Sequence, residues 1–178
     1  MRIAGGKLKG HSLKVPKVRD IRPTQESIRL AIFNILGDFV EGKKVADLYA
    51  GSGSLGVEAL SRGAKEAIFI ESNRHACEII RENLTPVRIG PKGKVICRDV
   101  EQALSELPNS GLELVFVDPP YAVGKLDHIF RRLLPHLRRG AVVVYEHSKM
   151  TEPPVIPGLR IFDRRIYGST KVTFLTRE

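Results

Sequence analysis

The sequence predicts an α/β fold with a mostly parallel seven-stranded sheet, a C-terminal antiparallel hairpin and a small basic N-terminal hairpin. From Lys43 onward, short apolar runs alternate with segments of helical length, the pattern of a parallel sheet covered on both faces. Two strand-like runs flank Gly168 with no room for a crossover helix, so they should pair antiparallel. At the start, apolar residues alternate with lysines around Gly5 and Gly10, which favours a hairpin.

The elements can be assigned in order along the chain. Residues 25–36 carry apolar side chains at helical spacing, with Thr24 as the candidate cap and Gly37 as the end. The strand candidates are KKVADLY, EAIFIE, GKVICRD, LELVFVD and GAVVVYEH. The helix candidates between them are SLGVEALSRG, NRHACEIIRENL, VEQALSEL and KLDHIFRRLLPHLRR. This organisation predicts a basic appendage over residues 1–22 and a single domain over residues 23–178.

Composition gives the first indication of a partner. The 178 residues include 29 Lys and Arg against 20 Asp and Glu, a net charge of +9. Such an excess favours a polyanion, although a solvated basic surface explains the total equally well. Several of these charges lie in the first segment, where the candidate RNA contacts are Arg2, Lys7, Lys9, Lys14 and Arg22. The sequence contains neither a membrane span nor a secretion signal, which leads us to expect a cytoplasmic protein.

A glycine-rich loop is the strongest local motif. Gly51, Gly53 and Gly56 match G-x-G-x-x-G between a strand and a helix, and Glu71 ends the next strand. The same spacing is typical of dinucleotide-binding proteins. Asp47 argues against a dinucleotide as the ligand, because a carboxylate beside the loop would repel the pyrophosphate of a dinucleotide. It would instead attract the ammonium and sulfonium groups of S-adenosylmethionine, which is therefore the predicted cofactor.

Each acid near this loop has an expected role. Asp47 would neutralise the methionine end, and Glu71 would accept both ribose hydroxyls. Asp99 ends the third strand and would accept from the adenine amino group, but a helix N-cap explains it almost as well. The remaining predicted cofactor contacts are Tyr49, Ser72 and Val100. All of these positions are at carboxyl ends of strands or just beyond them, where open α/β sheets bind ligands. We predict no metal, because the cysteines and histidines lack ligand spacing.

The segment DPPY ends the fourth strand. Its members are Asp118, Pro119, Pro120 and Tyr121. Two prolines can simply end a strand, but that role requires neither Asp118 nor Tyr121. An exocyclic amine is a poor nucleophile, and Asp118 with the Pro119 carbonyl can accept its two N–H bonds and orient its lone pair. Tyr121 can stack on the target base.

DPPY resembles the [DNS]-P-P-[YFW] motif of amino methyltransferases, which act on adenine N6, cytosine N4, guanine N2 or glutamine amides. The opening MRIAGGKLKGHSL, the segments RPTQESIRLAIFNIL and DLYAGSGSLGVEALSRGA, and the closing RRIYGSTKVTFL together resemble the RsmD-type 16S ribosomal RNA (guanine-N2)-methyltransferases. This resemblance covers essentially the whole chain. It implies a Rossmann-like class I methyltransferase fold and a guanine N2 target.

The resemblance also implies where the substrate binds. Arg22 and Thr24 would lie near the cofactor and the target base, and Tyr167 would shape the target side. A solvated charge explains Arg22 equally well, and hairpin packing explains Tyr167. A chain this small has little surface for recognising a nucleotide sequence. The expected partner is therefore structured ribosomal RNA, within a small subunit or an assembly intermediate.

Three competing functions remain open. The enzyme could methylate DNA adenine, which the motif permits, or a protein glutamine, although glutamine methyltransferases more often carry Asn in the first position of the motif. A dinucleotide-dependent oxidoreductase would share the glycine loop, but Asp47 and DPPY argue against it. A non-catalytic RNA-binding module would keep the fold without needing acceptors directed at an amine.

Overall fold

The computed structural model describes residues 1–16, 26–85, 90–107, 111–120 and 126–178. The strands are β1 (Lys44–Leu48), β2 (Glu66–Glu71), β3 (Gly93–Cys97), β4 (Leu112–Val117), β5 (Leu137–Ser148), β6 (Leu159–Tyr167) and β7 (Thr170–Arg177). The α-helices are α1 (Glu26–Leu36), α2 (Ser54–Ser61), α3 (Arg74–Leu84), α4 (Val100–Leu104) and α5 (Asp127–Leu133). Arg22, Thr24, Tyr121 and the predicted boundary at residues 22 and 23 lie outside the described residues.

All seven strands form one sheet in the order β3-β2-β1-β4-β5-β7-β6. The first five strands are parallel to one another, and β7 runs antiparallel to both of its neighbours. The chain reverses direction between Tyr167 and Thr170, which are register partners. The predicted fold class, including the C-terminal antiparallel pair, is confirmed. Because β1 and β4 are adjacent and their crossovers lead to opposite sides, their carboxyl ends form the switch point of the sheet.

Two hydrophobic clusters cover the two faces of the sheet. One joins α1, α2 and α3 to side chains such as Phe69, Phe116 and Phe174. The other joins α4 and α5 to the opposite face, where Val115 and Val143 are fully buried. The apolar runs of the sequence are therefore continuous because the parallel strands are buried on both sides. No helix within the described ranges has the length and apolar character needed to cross a bilayer.

The predicted helix KLDHIFRRLLPHLRR is wrong at its C-terminal end. The α-helix ends at Leu133, a short 3-10 turn covers Leu134–His136, and β5 begins at Leu137. Pro135 has no N–H to continue the helical hydrogen bonds, and Leu137 pairs with Leu112 of β4. As a result, Arg138 and Arg139 lie on a strand, whereas Arg131 and Arg132 lie on the helix.

The N-terminal segment, residues 1–16, folds back on itself and packs on the main body. One isolated antiparallel bridge joins Arg2 and Ser12, and a 3-10 turn at Gly6–Leu8 lies between them. This is a simpler arrangement than a hairpin of two paired strands. Ile3 and Leu13 are buried in the cluster beneath α1, α2 and α3. Burial of these two side chains explains why the segment stays against the sheet domain.

Candidate active site

The glycine loop connects β1 to α2 through an unusual backbone path. Tyr49, Gly51 and Gly53 all have positive φ, at 61°, 55° and 76°. Gly53 is the N-cap of α2 in the left-handed region, which glycine adopts at low cost. A Cβ on Gly56 would lie 2.3 Å from the Phe69 ring, so only glycine permits this approach of α2 to β2. The loop therefore follows a tight path at the edge of the sheet, where the N–H groups of Gly51 and Gly56 bind the carboxyl groups of Glu71 and Asp47.

Asp47 is the best buried of the predicted site residues. It is 2% exposed, and its Oδ2 accepts the Gly56 N–H at 2.9 Å. Burial raises the pKa of Asp47 well above its usual range, and the carboxylates of Asp118 and Glu71 raise it further. A bound cation would relieve this concentration of negative charge. The carboxyl group thus fixes the helix start, while its contact with a methionine end remains a prediction.

Glu71 is positioned at the end of β2 by two backbone donors. Its Oε2 accepts the Gly51 N–H and its Oε1 accepts the Asn73 N–H, each at 2.8 Å. The carboxylate is thus fixed in direction, and each oxygen retains a further lone pair. Fixed orientation is what a bidentate hydroxyl acceptor requires.

Asp99 lies at the carboxyl end of the third strand and caps α4. Its Oδ1 accepts the Glu101 N–H at 2.8 Å, so the capping interpretation is confirmed. The side chain is exposed, which leaves an adenine contact as a prediction. Ser72 is also exposed, whereas Val100 is buried beneath α4. Burial raises the pKa of Tyr49 to about 12, so its phenol is neutral.

Asp118, Pro119 and Pro120 follow directly after β4. Asp118 and Pro119 are half-buried and Pro120 is exposed. β4 is the neighbour of β1, so Asp118 lies at the same edge of the sheet as Asp47. The electrostatic effect of Asp118 on Asp47 shows that the two carboxyl groups are close. The structure therefore brings the glycine loop and this motif together at the switch point.

The basic residues of the N-terminal segment lie beside α2 and α3. Arg2, Lys7, Lys9 and Lys14 are exposed, and Lys14 forms a surface ion pair with Glu82 at 3.0 Å. Tyr167 ends β6 half-buried against the α1 side of the sheet. Contacts of these residues with RNA remain predictions.

Buried polar side chains anchor the N-terminal segment, and the sequence interpretation missed them. Glu58 accepts the Ala4 N–H at 2.8 Å and forms an ion pair with the fully buried Arg29. Asn83 accepts the Lys14 N–H and donates to the carbonyls of Lys14 and Ser52, at 2.8 to 3.0 Å. Asn83 therefore links the basic segment to the glycine loop. Glu58, Arg29 and Asn83 all lie within helical patterns of the sequence. Those patterns did not indicate that their side chains would be buried against the N-terminal segment.

Glu146 on β5 was also missed. It follows an apolar run near the end of its strand, as Glu71 does, so the search for acids after apolar runs would have found it. Its pKa is raised to about 8, by burial first and then by the Asp118 carboxylate. The site thus contains a second carboxyl group beside the one in the DPPY motif.

The polar groups at this edge of the sheet fit S-adenosylmethionine and do not fit a phosphate-containing ligand. Carboxyl groups stand at or just beyond the ends of four adjacent strands, β1 to β4. Carboxylates attract a sulfonium and an ammonium and accept from hydroxyl and amino groups, whereas they repel phosphate. Within the described ranges, no group of three or more His, Cys, Asp or Glu side chains could hold a metal ion.

Comparisons with known proteins agree over the whole chain. The family model described as conserved hypothetical protein 95 matches residues 1–176. Ribosomal RNA small subunit methyltransferase D of Escherichia coli (strain K12) is 34% identical over 161 residues, covering 88% of this chain and 79% of that protein. The YlbH protein of Bacillus subtilis (strain 168) is 34% identical over 177 residues, covering 97% and 96%. The solved structure of Escherichia coli yhhF superposes with a TM-score of 0.90 at 29% identity, covering 100% of this chain and 98% of that one.

Proposed function

The chain belongs to the family described as conserved hypothetical protein 95, and we propose that it methylates the N2 amino group of a guanine in small-subunit ribosomal RNA. Membership confirms the family resemblance predicted from the motifs. The observation that carries the proposal is the convergence of the glycine loop and Asp118 at one edge of the sheet. The Escherichia coli relative named for the small ribosomal subunit supports the choice of acceptor.

In this proposal the cofactor is S-adenosylmethionine, which supplies the electrophilic methyl group when bound. Glu71 would bind its ribose, Asp47 would balance its positive charge, and Asp99 would accept from its adenine. Backbone donors already orient Glu71, so little conformational freedom is lost on binding. The positive φ values of the loop bring its backbone close to the ligand.

Asp118 and the Pro119 carbonyl would act on the target amine. The N2 lone pair of guanine is delocalised into the ring, so the free base is weakly nucleophilic. Two acceptors on its two N–H bonds hold the nitrogen in one orientation and stabilise the positive charge that develops on it. The proline ring fixes φ and thereby holds this carbonyl in place. After transfer, one amine proton has to be lost, and Asp118 is the acceptor in contact with it.

Substrate binding would rest on charge and shape. The exposed basic residues of the N-terminal segment lie on the side of the sheet that α2 and α3 cover. Lys14 would contact a phosphate near the glycine loop, to which Asn83 links it, and Lys7 and Lys9 would contact phosphates beside the C-terminal end of α2. The small subunit, or an assembly intermediate of it, is the proposed partner.

The test is the identity of the methylated acceptor. Labelled S-adenosylmethionine is incubated with the enzyme and with unmodified small subunits, free ribosomal RNA, duplex DNA or a glutamine-containing protein. We expect label in subunit RNA that digests to N2-methylguanosine. Label in DNA or protein would reject the ribosomal assignment, and binding of NAD in place of S-adenosylmethionine would reject the methyltransferase assignment.

A further inference from the structure

Glu146 lies opposite Asp118 on the neighbouring strand. Val117, the last residue of β4, is the register partner of Tyr145 of β5. Asp118 follows Val117 directly and therefore comes beside Glu146, and its carboxylate contributes to the raised pKa of Glu146. Register partners in a sheet point to the same face. Here that face is the α1 side, because Phe116 and Val144, two residues earlier on each strand, belong to its cluster.

The Glu146 carboxyl group carries an unsatisfied atom. Its Oε2 is buried and has no hydrogen-bond partner among the described residues. Buried polar atoms in native proteins nearly always have partners, so each exception calls for an explanation. The opposite residue on β7 is Val172, which offers no polar side chain. A substrate that enters beside Asp118 would supply the missing partner.

We propose that Glu146 is a specificity-determining residue that binds the guanine ring edge next to the target amine, an inference that rests on the proposed function. Beside its 2-amino group, guanine presents the N1–H donor and then the O6 acceptor. A base extruded from its stack is read along this edge. With the amine held by Asp118, the neighbouring carboxyl group is the one positioned for N1–H and O6.

The protonation state of Glu146 suits the N1–H donor and the O6 acceptor of guanine. Burial and the Asp118 carboxylate raise the pKa of Glu146 to about 8, so the free enzyme carries a largely neutral carboxyl group at neutral pH. A neutral carboxyl has one O–H donor and one carbonyl acceptor. It can therefore accept from N1–H and donate to O6 at the same time.

The other bases with amino groups do not match. Adenine and cytosine carry an unprotonated ring nitrogen next to the exocyclic amine. This nitrogen can accept only from the O–H of Glu146, so the carbonyl oxygen of Glu146 would have to pair with the next group along the edge. Beyond that nitrogen, adenine has a C–H and cytosine has another acceptor. A site built to pair with a particular polar edge discriminates strongly against bases that leave its groups unpaired. Glu146 thus accounts for a guanine preference that the DPPY motif alone does not provide.

Two substitutions separate this role from a structural one. Glu146→Gln keeps one donor and one acceptor on a side chain of the same length, and Glu146→Leu removes both. Since an apolar replacement removes an unsatisfied buried atom, Glu146→Leu should be at least as stable as the wild type. Glu152→Gln is the control, because Glu152 is an exposed glutamate whose partner Lys171 points to the opposite face of the sheet from Val172, the register partner of Glu146. If the leucine variant does not fold, Glu146→Met replaces it.

The measurement is steady-state formation of N2-methylguanosine in unmodified small subunits, with the thermal midpoint and S-adenosylmethionine affinity recorded for every variant. We expect kcat for Glu146→Leu to fall at least about thirtyfold with KM nearly unchanged, since phosphate contacts dominate subunit binding. Glu146→Gln should stay within about fivefold of the wild type. Retained kcat in the leucine variant, or an equal loss in both variants with folding and cofactor binding intact, would overturn the inference. A wild type that forms no N2-methylguanosine would instead reject the proposed function.

Discussion

At the scale of single residues, Glu71 shows how backbone N–H groups fix the orientation of a carboxylate. The N–H groups of Gly51 and Asn73 bind its two oxygens at 2.8 Å. This arrangement joins the glycine loop to the end of β2. Loss of the carboxylate should therefore affect cofactor binding more than the chemical step.

Glu71→Ala should weaken S-adenosylmethionine binding by about tenfold to a hundredfold, because it removes the acceptor for two hydroxyl groups. Isothermal titration calorimetry measures the change directly. Glu66→Ala serves as the control, since Glu66 begins the same strand at its opposite end, where it pairs with Lys44 on the surface. An unchanged dissociation constant in Glu71→Ala would reject the ribose role.

Glu146 gives the molecule a characteristic pH dependence. Its pKa is about 8 in the folded protein, against an ordinary value of 4.5. Between those values the folded state binds more protons than the unfolded chain, so the free energy of unfolding falls as the pH rises. Glu146→Gln removes this titration, while Asp47, whose pKa is also raised, contributes to both proteins alike.

Urea denaturation at pH 5 and pH 8.5 tests this dependence. The wild type should lose more stability than Glu146→Gln over this interval, by an amount on the order of 1–3 kcal/mol. Equal losses in the two proteins would mean that Glu146 titrates normally in the folded state.

The residues that sequence reasoning found and missed differ in the range of their contacts. Asp47, Glu71, Asp99 and Asp118 could be identified because each one ends or follows an apolar run. The hydrogen bond between Asp47 and Gly56 spans nine positions and depends on how α2 begins, which no local pattern records. The same is true of the Arg29–Glu58 pair, where two charged residues of different helices are buried together.

At the scale of elements, the N-terminal segment and the glycine loop are connected through α3. Asn83 is 4% exposed, and its side chain joins Lys14 to Ser52. A basic segment that binds RNA phosphates would in this way adjoin the loop that binds the cofactor. The connection is structural, and its effect on both ends can be measured.

Asn83→Ala should release the N-terminal segment, because it removes three hydrogen bonds from buried or partly buried groups. Hydrogen exchange should show lost protection at amides of the segment such as Ile3 and Leu13, and cofactor affinity should fall about threefold to tenfold. Asn34→Ala is the matched control, since Asn34 is exposed on α1. Full protection of the segment in Asn83→Ala would show that its apolar contacts alone hold it.

Element boundaries were predicted well where hydrophobic periodicity ended at a glycine or an acid, and less well elsewhere. The helix after β4 extended too far in the prediction because LRR suits a helix as well as a strand. Pairing of Leu137 with Leu112 decides the outcome, and such pairing depends on residues 25 positions apart. The reversal at Gly168 was predictable because two short runs without a crossover have only one simple pairing.

At the scale of the whole molecule, charge is unevenly distributed around the ligand-binding edge. Carboxyl groups gather at the strand ends, while basic residues cover the adjoining N-terminal segment. This separation suits a small cationic cofactor beside a large polyanion. Binding to RNA should therefore depend strongly on ionic strength.

Lys7→Ala with Lys9→Ala should weaken subunit RNA binding and make its salt dependence shallower, by about one unit of logarithmic slope per lost phosphate contact. Filter binding measures both quantities. The salt concentration is varied between about 50 and 200 mM, the range over which binding through phosphate contacts weakens steeply. Arg160→Ala is the control, because Arg160 is exposed on β6, the edge strand of the sheet on the far side of β5 and β7 from α2. A flat salt response in the wild type would contradict the phosphate-based mode of binding.

The central claim is that acceptors at the end of β4 direct a guanine amine to the methyl donor. The most direct measurement is N2-methylguanosine formed per enzyme in unmodified small subunits, by the wild type and by Asp118→Ala with cofactor saturating. We predict a loss of about a hundredfold or more in the variant, with S-adenosylmethionine affinity nearly unchanged. Near-normal product formation by Asp118→Ala would remove Asp118 from the mechanism and contradict the account.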